Sequence, residues 1–129
     1  MLIGQQIGKL GPKNRIAVPV KFRGELGKKL IVSYGFEKCL ILLSVKGFGD
    51  MVKQALSGPI TEKKVREQTR VLLAGAEAMT LDEFGRFVLP KHLAEYAKIS
   101  DKVLFVGLMR WVEIWDQKLW VRQGGRKSA

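Results

Sequence analysis

The sequence is poor in the residues on which most catalytic and metal sites depend. It contains one cysteine, Cys39, and one histidine, His92, among 129 residues. A single cysteine excludes an intrachain disulfide, and a lone histidine without clustered carboxylates suggests neither a metal site nor a catalytic triad. We therefore predict no enzyme activity, cofactor, metal or small-molecule ligand. Cys39 is predicted to be a small core residue of the apolar run CLILLS, and His92 an exposed helix residue.

Long apolar segments are also missing. No run approaches the roughly 20 apolar residues that a membrane-spanning helix needs. The amino-terminal stretch MLIGQQIGKLG lacks the basic start and the apolar core of a signal peptide. We expect a cytoplasmic protein with no membrane partner.

Acidic residues are scarce relative to basic ones. Lysine and arginine number 23 against 12 aspartates and glutamates, which gives a formal net charge of +11. Such an excess favours a polyanionic partner, either nucleic acid or an anionic membrane surface, and we favour nucleic acid. The first 30 residues carry Glu25 as their one acid and seven basic residues, which are Lys9, Lys13, Arg15, Lys21, Arg23, Lys28 and Lys29. The basic surface is therefore predicted to come mainly from this part of the chain.

What the sequence does contain is an internal repeat. The segment LGPKNRIAVPVKFRGELG begins at Leu10, and LDEFGRFVLPKHLAEYA begins at Leu81. Each reads as leucine, a polar loop, arginine, three apolar residues, proline and an amphipathic run. Arg15 and Arg86 lie 71 positions apart, as do the prolines that follow them, Pro19 and Pro90.

Each copy is predicted to run strand, turn, strand, helix, strand, strand, helix. Proline suits the first position of a helix and not a central strand, so helices are expected to start at Pro19 and Pro90. Ser44 and Asp116 are predicted caps of later helices. A charged connecting helix is expected to begin at Thr61, and the tail GGRKSA to be disordered.

One copy has about four short strands and cannot enclose a core, whereas two copies can close a small barrel. The predicted fold class is therefore mainly β with short helices (α+β), a barrel of two internal repeats with pseudo-twofold symmetry. The predicted boundaries are a first module at 5–47, a helical connector at 48–75 and a second module at 76–119. The tryptophans are predicted to be core residues, with subunit contacts as the alternative; they are Trp111, Trp115 and Trp120.

The repeated loops are the candidate site, and we call residues 11–15 the first loop and residues 82–86 the second loop. An arginine guanidinium makes two parallel hydrogen bonds to guanine or to phosphate. Asp82 is predicted to orient Arg86 before binding, which lowers the entropy lost on binding. The alternative is that the pair only stabilises a turn, but an exposed pair contributes just about 0–1 kcal/mol. The predicted DNA-binding residues are Arg15, Arg86, Lys13, Lys9 and Asn14.

These loops and their flanks resemble the MraZ family, which is built from two tandem SpoVT-AbrB-type swapped-hairpin modules. The Asp-x-x-x-Arg loop of that family is intact at Asp82 to Arg86, whereas Gly11 replaces the acid in the first loop. The flanks VPVKFRGELG, PITEKKVREQTRVLLAGAEA and VEIWDQKLW are also similar to the family. The resemblance implies a swapped-hairpin AbrB-like barrel and a nucleoid-associated transcriptional regulator. It also implies a ring-shaped homo-oligomer that binds direct repeats in double-stranded DNA and represses its own division and cell wall gene cluster.

Other functions are left open as alternatives. An AbrB-like antitoxin and a general nucleoid-binding protein are the main ones, and RNA binding ranks below duplex DNA because no exposed aromatic stacking motif is present. Because Arg15 has no acid at position 11, we expect the first loop to bind mainly phosphate charge and the second loop to read bases.

Overall fold

A computed structural model describes residues 1–127. The two halves repeat one order of elements, as the sequence predicts, and a further helix connects them. The elements are β1 (Ile3–Lys9), β2 (Arg15–Ala17), α1 (Val20–Leu26), β3 (Lys29–Tyr34), β4 (Leu40–Ser44), α2 (Val45–Ala55), α3 (Lys63–Ala74), β5 (Glu77–Thr80), β6 (Arg86–Val88), α4 (Lys91–Ala97), β7 (Lys102–Leu108), β8 (Val112–Asp116) and α5 (Gln117–Arg122).

The two halves exchange their first strands. Six antiparallel strands form one sheet in the order β1-β7-β8-β4-β3-β5. Strand β1 therefore pairs with the β7–β8 hairpin of the second half, and β5 pairs with the β3–β4 hairpin of the first half. In the middle of the sheet Leu40 lies opposite Ile114 and Leu42 opposite Val112, as a pseudo-twofold axis between β4 and β8 requires. The edge strands of each half need the other half as their partner.

Strands β2 and β6 form a separate two-stranded antiparallel ribbon. Two backbone hydrogen bonds extend the ribbon symmetrically: Val18 N–H donates to Gly85 O at 2.9 Å, and Leu89 N–H donates to Asn14 O at 2.8 Å. A bridge between Leu10 and Ile16 ties the ribbon to β1, at one edge of the six-stranded sheet. The arrangement is barrel-like and mainly β with short helices, which confirms the predicted fold class.

One apolar core lies between the sheet, the ribbon, α1 and α4. Phe22 and Leu26 on α1, and Leu93 and Ala97 on α4, are buried at the predicted i, i+4 spacing. Both helices begin one residue later than predicted, because Pro19 and Pro90 have ψ near 140° and serve as N-caps. The Pro19 carbonyl still accepts a hydrogen bond from Phe22 N–H, as an N-cap carbonyl does.

A smaller cluster covers the other face of the sheet. Cys39 and Trp115 are buried there, as predicted, beside Leu104 and Val106, while Trp120 is half-buried against them. Burial raises the pKa of the Cys39 thiol well above its ordinary value, so the sulfur stays protonated. Trp111 is half-buried and lies outside both clusters.

The predicted helix caps are confirmed. The Ser44 side chain accepts from Gly47 N–H, and the Asp116 carboxylate accepts from the backbone N–H groups of Lys118 and Leu119. The connecting helix α3 starts at Lys63 and not at Thr61, because Glu62 has an extended backbone and acts as its N-cap. Neither α2 nor α3 buries a side chain fully, although Ser33 Oγ donates to Leu72 O at 3.0 Å and joins α3 to the sheet.

The predicted disorder of the tail is wrong for residues 124–126. Gly125 N–H donates to Trp120 O, and Trp120 Nε1 donates to Arg126 O at 3.0 Å. Gly125 has no side chain, so the chain lies directly against the indole ring of Trp120. The rest of the predicted disordered segment includes residues 128–129, which lie outside the described residues.

Within residues 1–127 no helix is both long and apolar enough to cross a bilayer.

Candidate nucleic-acid interface

The two loop arginines share one outward face of the ribbon. In its register Arg15 lies opposite Val88, and Arg86 lies opposite Ala17. Side chains of directly opposite residues in an antiparallel pair point to the same face, and so do residues two apart on a strand. Arg15 and Arg86 therefore lie diagonally across one small surface, with Val88 53% exposed on it.

The other face of the ribbon explains why this surface is fixed. Ile16 and Phe87 are paired directly and are only 1% and 3% exposed, because both side chains enter the core. Since side chains alternate along a strand, burying this pair forces the arginines outward. The sequence suggests two separate loop tips. In the structure the two loops instead end on one surface, the outward face of the β2–β6 ribbon that carries Arg15 and Arg86, and we call this surface the platform.

The second loop is held by the Asp82 carboxylate. Its Oδ1 accepts from the backbone N–H groups of Phe84 and Arg86, both at 2.9 Å, and its Oδ2 accepts from Arg86 Nε at 2.9 Å. Gly85 has φ 75°, a left-handed conformation that glycine adopts readily. The Arg86 guanidinium also lies 5.1 Å from the centre of the Phe84 ring. The Asp82 carboxylate thus contacts the Arg86 side chain directly, and its role in orienting Arg86 for binding stays a prediction.

This network leaves the terminal nitrogens of the Arg86 guanidinium available for a ligand. Its Nε is engaged by Asp82, while among residues 1–127 its two terminal nitrogens have no hydrogen-bond acceptor. Two parallel N–H groups are what bidentate recognition of guanine or phosphate requires. The second loop therefore presents a preoriented fork.

The hydrogen bonds to Asp82 also set an acid limit for the loop. They lower the pKa of the Asp82 carboxyl below its ordinary value of 3.8, the backbone N–H of Arg86 contributing most. Because the folded pKa is the lower one, the stabilisation is complete above the ordinary value and is lost as the pH falls through the folded pKa.

We expect the second loop to keep its order down to about pH 4 and to loosen only in stronger acid. The variant Asp82→Asn keeps the side-chain shape and should remove this pH dependence. The measurement is the NMR signal of Arg86 Nε–H during an acid titration of both proteins. Equal movement of that signal in the two proteins would contradict the role of Asp82.

The first loop is closed by the equivalent backbone hydrogen bond but lacks this network. Gly11 N–H donates to Arg15 O at 2.7 Å, which matches the bond from Asp82 N–H to Arg86 O. No carboxylate is present at position 11, and within residues 1–127 the Arg15 guanidinium makes no ion pair or hydrogen bond. Lys13 and Asn14 both have φ 58°, a conformation that asparagine tolerates and lysine adopts rarely.

The other predicted cations differ in availability. Lys13 is exposed at the tip of the first loop. Lys9, at the end of β1, has its ammonium 3.9 Å from an Asp101 oxygen, so a carboxylate offsets part of its charge. Arg23 was not predicted as a site residue, yet it lies beside Gly85 of the second loop. Only the pairing of β2 with β6, which belong to different halves, brings it there, and no local sequence signal reveals that contact.

Among residues 1–127 no group of three or more His, Cys, Asp or Glu side chains is arranged to hold a metal ion. His92 is exposed on α4, as predicted, and its Nε2 lies 3.2 Å from Gly75 O.

Comparison with known proteins gives matches along nearly the whole chain. The family model described as "MraZ protein, putative antitoxin-like" matches residues 1–71 and again residues 72–128. A protein named Transcriptional regulator MraZ from Caldanaerobacter subterraneus subsp. tengcongensis is 38% identical over 93% of this chain and 84% of its own length. The protein of the same name from Roseiflexus sp. is 34% identical over 93% of this chain and 84% of its own length. The one from Caldicellulosiruptor bescii is 37% identical over 95% of this chain and 86% of its own length.

Proposed function

Because this chain belongs to the MraZ family of transcriptional regulators, we propose that it binds double-stranded DNA through the outward face of the β2–β6 ribbon. The family resemblance drawn from the loops is confirmed, and the names of the relatives support the expectation of a non-enzyme. The observation that carries the proposal is that Arg15 and Arg86 share one exposed face above a buried Ile16–Phe87 pair.

A two-stranded ribbon is a suitable shape for this role. The major groove of B-DNA admits a two-stranded β-ribbon, and base edges there distinguish all four base pairs. Arg86, oriented by Asp82, is proposed to read a guanine, while Arg15 and Lys13 are proposed to meet phosphate oxygens. Lys9 and Asn14 complete the proposed contact surface. The formal net charge of +11 supports attraction to the duplex.

Regulation is proposed to require several copies of the chain. One ribbon contacts only a short stretch of DNA, so its affinity alone is low. A ring-shaped homo-oligomer that reaches several direct repeats gains affinity through effective concentration, provided that the repeat spacing matches. By its resemblance to the family, the chain is proposed to be nucleoid-associated and to repress its own division and cell wall gene cluster.

The test is a binding titration with the promoter duplex of the chain's own operon at several salt concentrations. A duplex of the same length and composition with scrambled repeats is the control. We expect tighter binding to the intact repeats and a steep loss of affinity with salt. Equal affinity for both duplexes would leave a general nucleoid-binding protein, and no binding to either would remove the proposal.

Val88 offers a direct test of which face meets DNA. Val88→Glu puts a carboxylate opposite Arg15 on an exposed position, so it should leave the fold intact and weaken DNA binding about tenfold through charge repulsion. Val88→Thr, which is of similar shape and uncharged, is the matched control. The measurement is fluorescence anisotropy on the promoter duplex. Wild-type affinity in the glutamate variant would place the contact surface elsewhere.

A further inference from the structure

We propose that Arg23 is a third DNA-contacting guanidinium, which binds a backbone phosphate beside Arg86 and has no counterpart at the first loop. The inference rests on the proposed function, because it assigns a residue of helix α1 to the same interface. It also makes the two ends of the ribbon chemically different in a way that the repeated loops alone do not show.

The Arg23 side chain is held in place from both sides. Its Nε donates to Val18 O at 2.6 Å, and Val18 N–H in turn donates to Gly85 O in the second loop. The guanidinium lies directly against Gly85, where a Cβ atom would overlap it. Gly85 precedes Arg86 in the chain, so the Arg23 group sits immediately next to the proposed base-reading loop.

The terminal nitrogens of the Arg23 guanidinium are available for a ligand. The side chain is half-buried, and its two terminal nitrogens have no hydrogen-bond acceptor in the part of the chain that the structure describes. A guanidinium anchored through Nε keeps a fixed orientation and offers its remaining N–H groups to a phosphate at little entropic cost. Arg23 lines a surface depression beside the second loop. Lys28 also lines this depression, and so do two acids, Asp82 and Glu83. Asp82 is already engaged by Arg86, so Glu83 is the carboxylate that opposes an anion there.

The pseudo-symmetric position shows that this arrangement is specific to one end. Ala94 lies 71 positions after Arg23, and Gly85 lies 71 positions after Asn14. At the second loop a large side chain, Arg23, faces a residue without a side chain. At the first loop the equivalent positions are reversed, with the small Ala94 and the larger Asn14. Each loop thus pairs one larger side chain with one small residue, but the larger one lies on the helix at the second loop and in the loop itself at the first. Only the second-loop end of the ribbon therefore has room for the extra guanidinium.

The principal test is Arg23→Gln, because a glutamine amide can still donate to the Val18 carbonyl while the charge is lost. Binding is measured on the promoter duplex and on its scrambled control across a range of salt. The slope of log affinity against log salt should become shallower by about one, and affinity should fall about fivefold on both duplexes. The preference for intact repeats should stay unchanged. Arg23→Lys should retain the slope, since it keeps the charge.

Two further variants keep the result interpretable. Arg70→Gln removes the same charge from the exposed surface of α3, outside both loops, and should leave the slope unchanged. The double variant Asn14→Gly with Ala94→Arg transplants the arrangement to the first loop and should steepen the slope by about one. This gain tests the proposal even if Arg23→Gln does not fold.

Three outcomes would overturn the proposal. In the first, Arg23→Gln lowers the preference for intact repeats without changing the slope, which would make Arg23 only a support for the second loop. In the second, Arg23→Gln and Arg70→Gln change the slope equally. In the third, the transplant folds without steepening the slope. A wild-type protein that binds both duplexes equally would refute sequence-specific function but still allow the slope test, so the two failures can be told apart.

Discussion

Arg86→Ala is expected to remove most of the preference for intact promoter repeats, by a factor of about 5 to 150, which corresponds to the roughly 1–3 kcal/mol of one bidentate base contact. The reason is geometric. Asp82 holds Arg86 through Nε and leaves its parallel terminal N–H groups facing outward, as base reading requires. Binding to scrambled DNA should weaken much less, because it depends on charge and not on the fork. The measurement is the ratio of the two dissociation constants at one fixed salt concentration.

Arg15→Ala is the matched comparison, since the two arginines are equivalent in the repeat. No carboxylate of residues 1–127 contacts Arg15, so its contribution is expected to be phosphate charge. The salt slope should become shallower by about one, while the preference for intact repeats stays near the wild-type value. If both variants change the slope and the preference to the same extent, the two loops do not divide the work, and the Asp82 network has no role in recognition.

The sequence predicts the local structure of each half well. The prolines after each arginine, the i, i+4 pair Phe22 and Leu26, and the caps Ser44 and Asp116 depend on neighbours a few residues away. Such signals can be read along the chain because the interactions they describe are local.

The sequence predicts that the two halves close one barrel, but it does not reveal that β2 pairs with β6. Strands β2 and β6 have three residues each, too few for a pairing pattern to be recognised, and the partner of each lies in the other half. The platform that joins Arg15 to Arg86, and the contact of Arg23 with Gly85, both follow from this long-range pairing. Pairing over such a distance is decided by the shared core and not by local preference.

Helix α2 and the tail show that composition alone does not predict which residues find a packing partner. Helix α2 carries several apolar residues, yet Val45 is 55% exposed and no residue of that helix is fully buried. The small and polar tail predicts disorder, yet Gly125 lies against Trp120 because a glycine backbone fits under the indole ring. In both places composition is a poor guide, since it does not say whether a complementary surface is within reach.

Phe87→Ala is expected to have the largest effect on stability, and through stability on recognition. Phe87 is 3% exposed and pairs with Ile16 beneath the ribbon, so its removal leaves a cavity under both arginines. The free energy of unfolding should fall by about 3–5 kcal/mol, as for other buried phenylalanines. The measurement is denaturant unfolding, with DNA binding tested under conditions in which the variant remains folded.

Phe36→Ala removes the same group from a position that is 67% exposed, and it should change stability by no more than about 0.5 kcal/mol. In the folded Phe87→Ala protein the ribbon loses its inward anchor, so both the salt slope and the preference for intact repeats should decline together. That joint decline differs from the effect of either arginine variant, because the whole platform is loosened and not just one side chain removed. A Phe87→Ala protein as stable as Phe36→Ala, with wild-type DNA binding, would show that the buried pair does not hold the arginines in place.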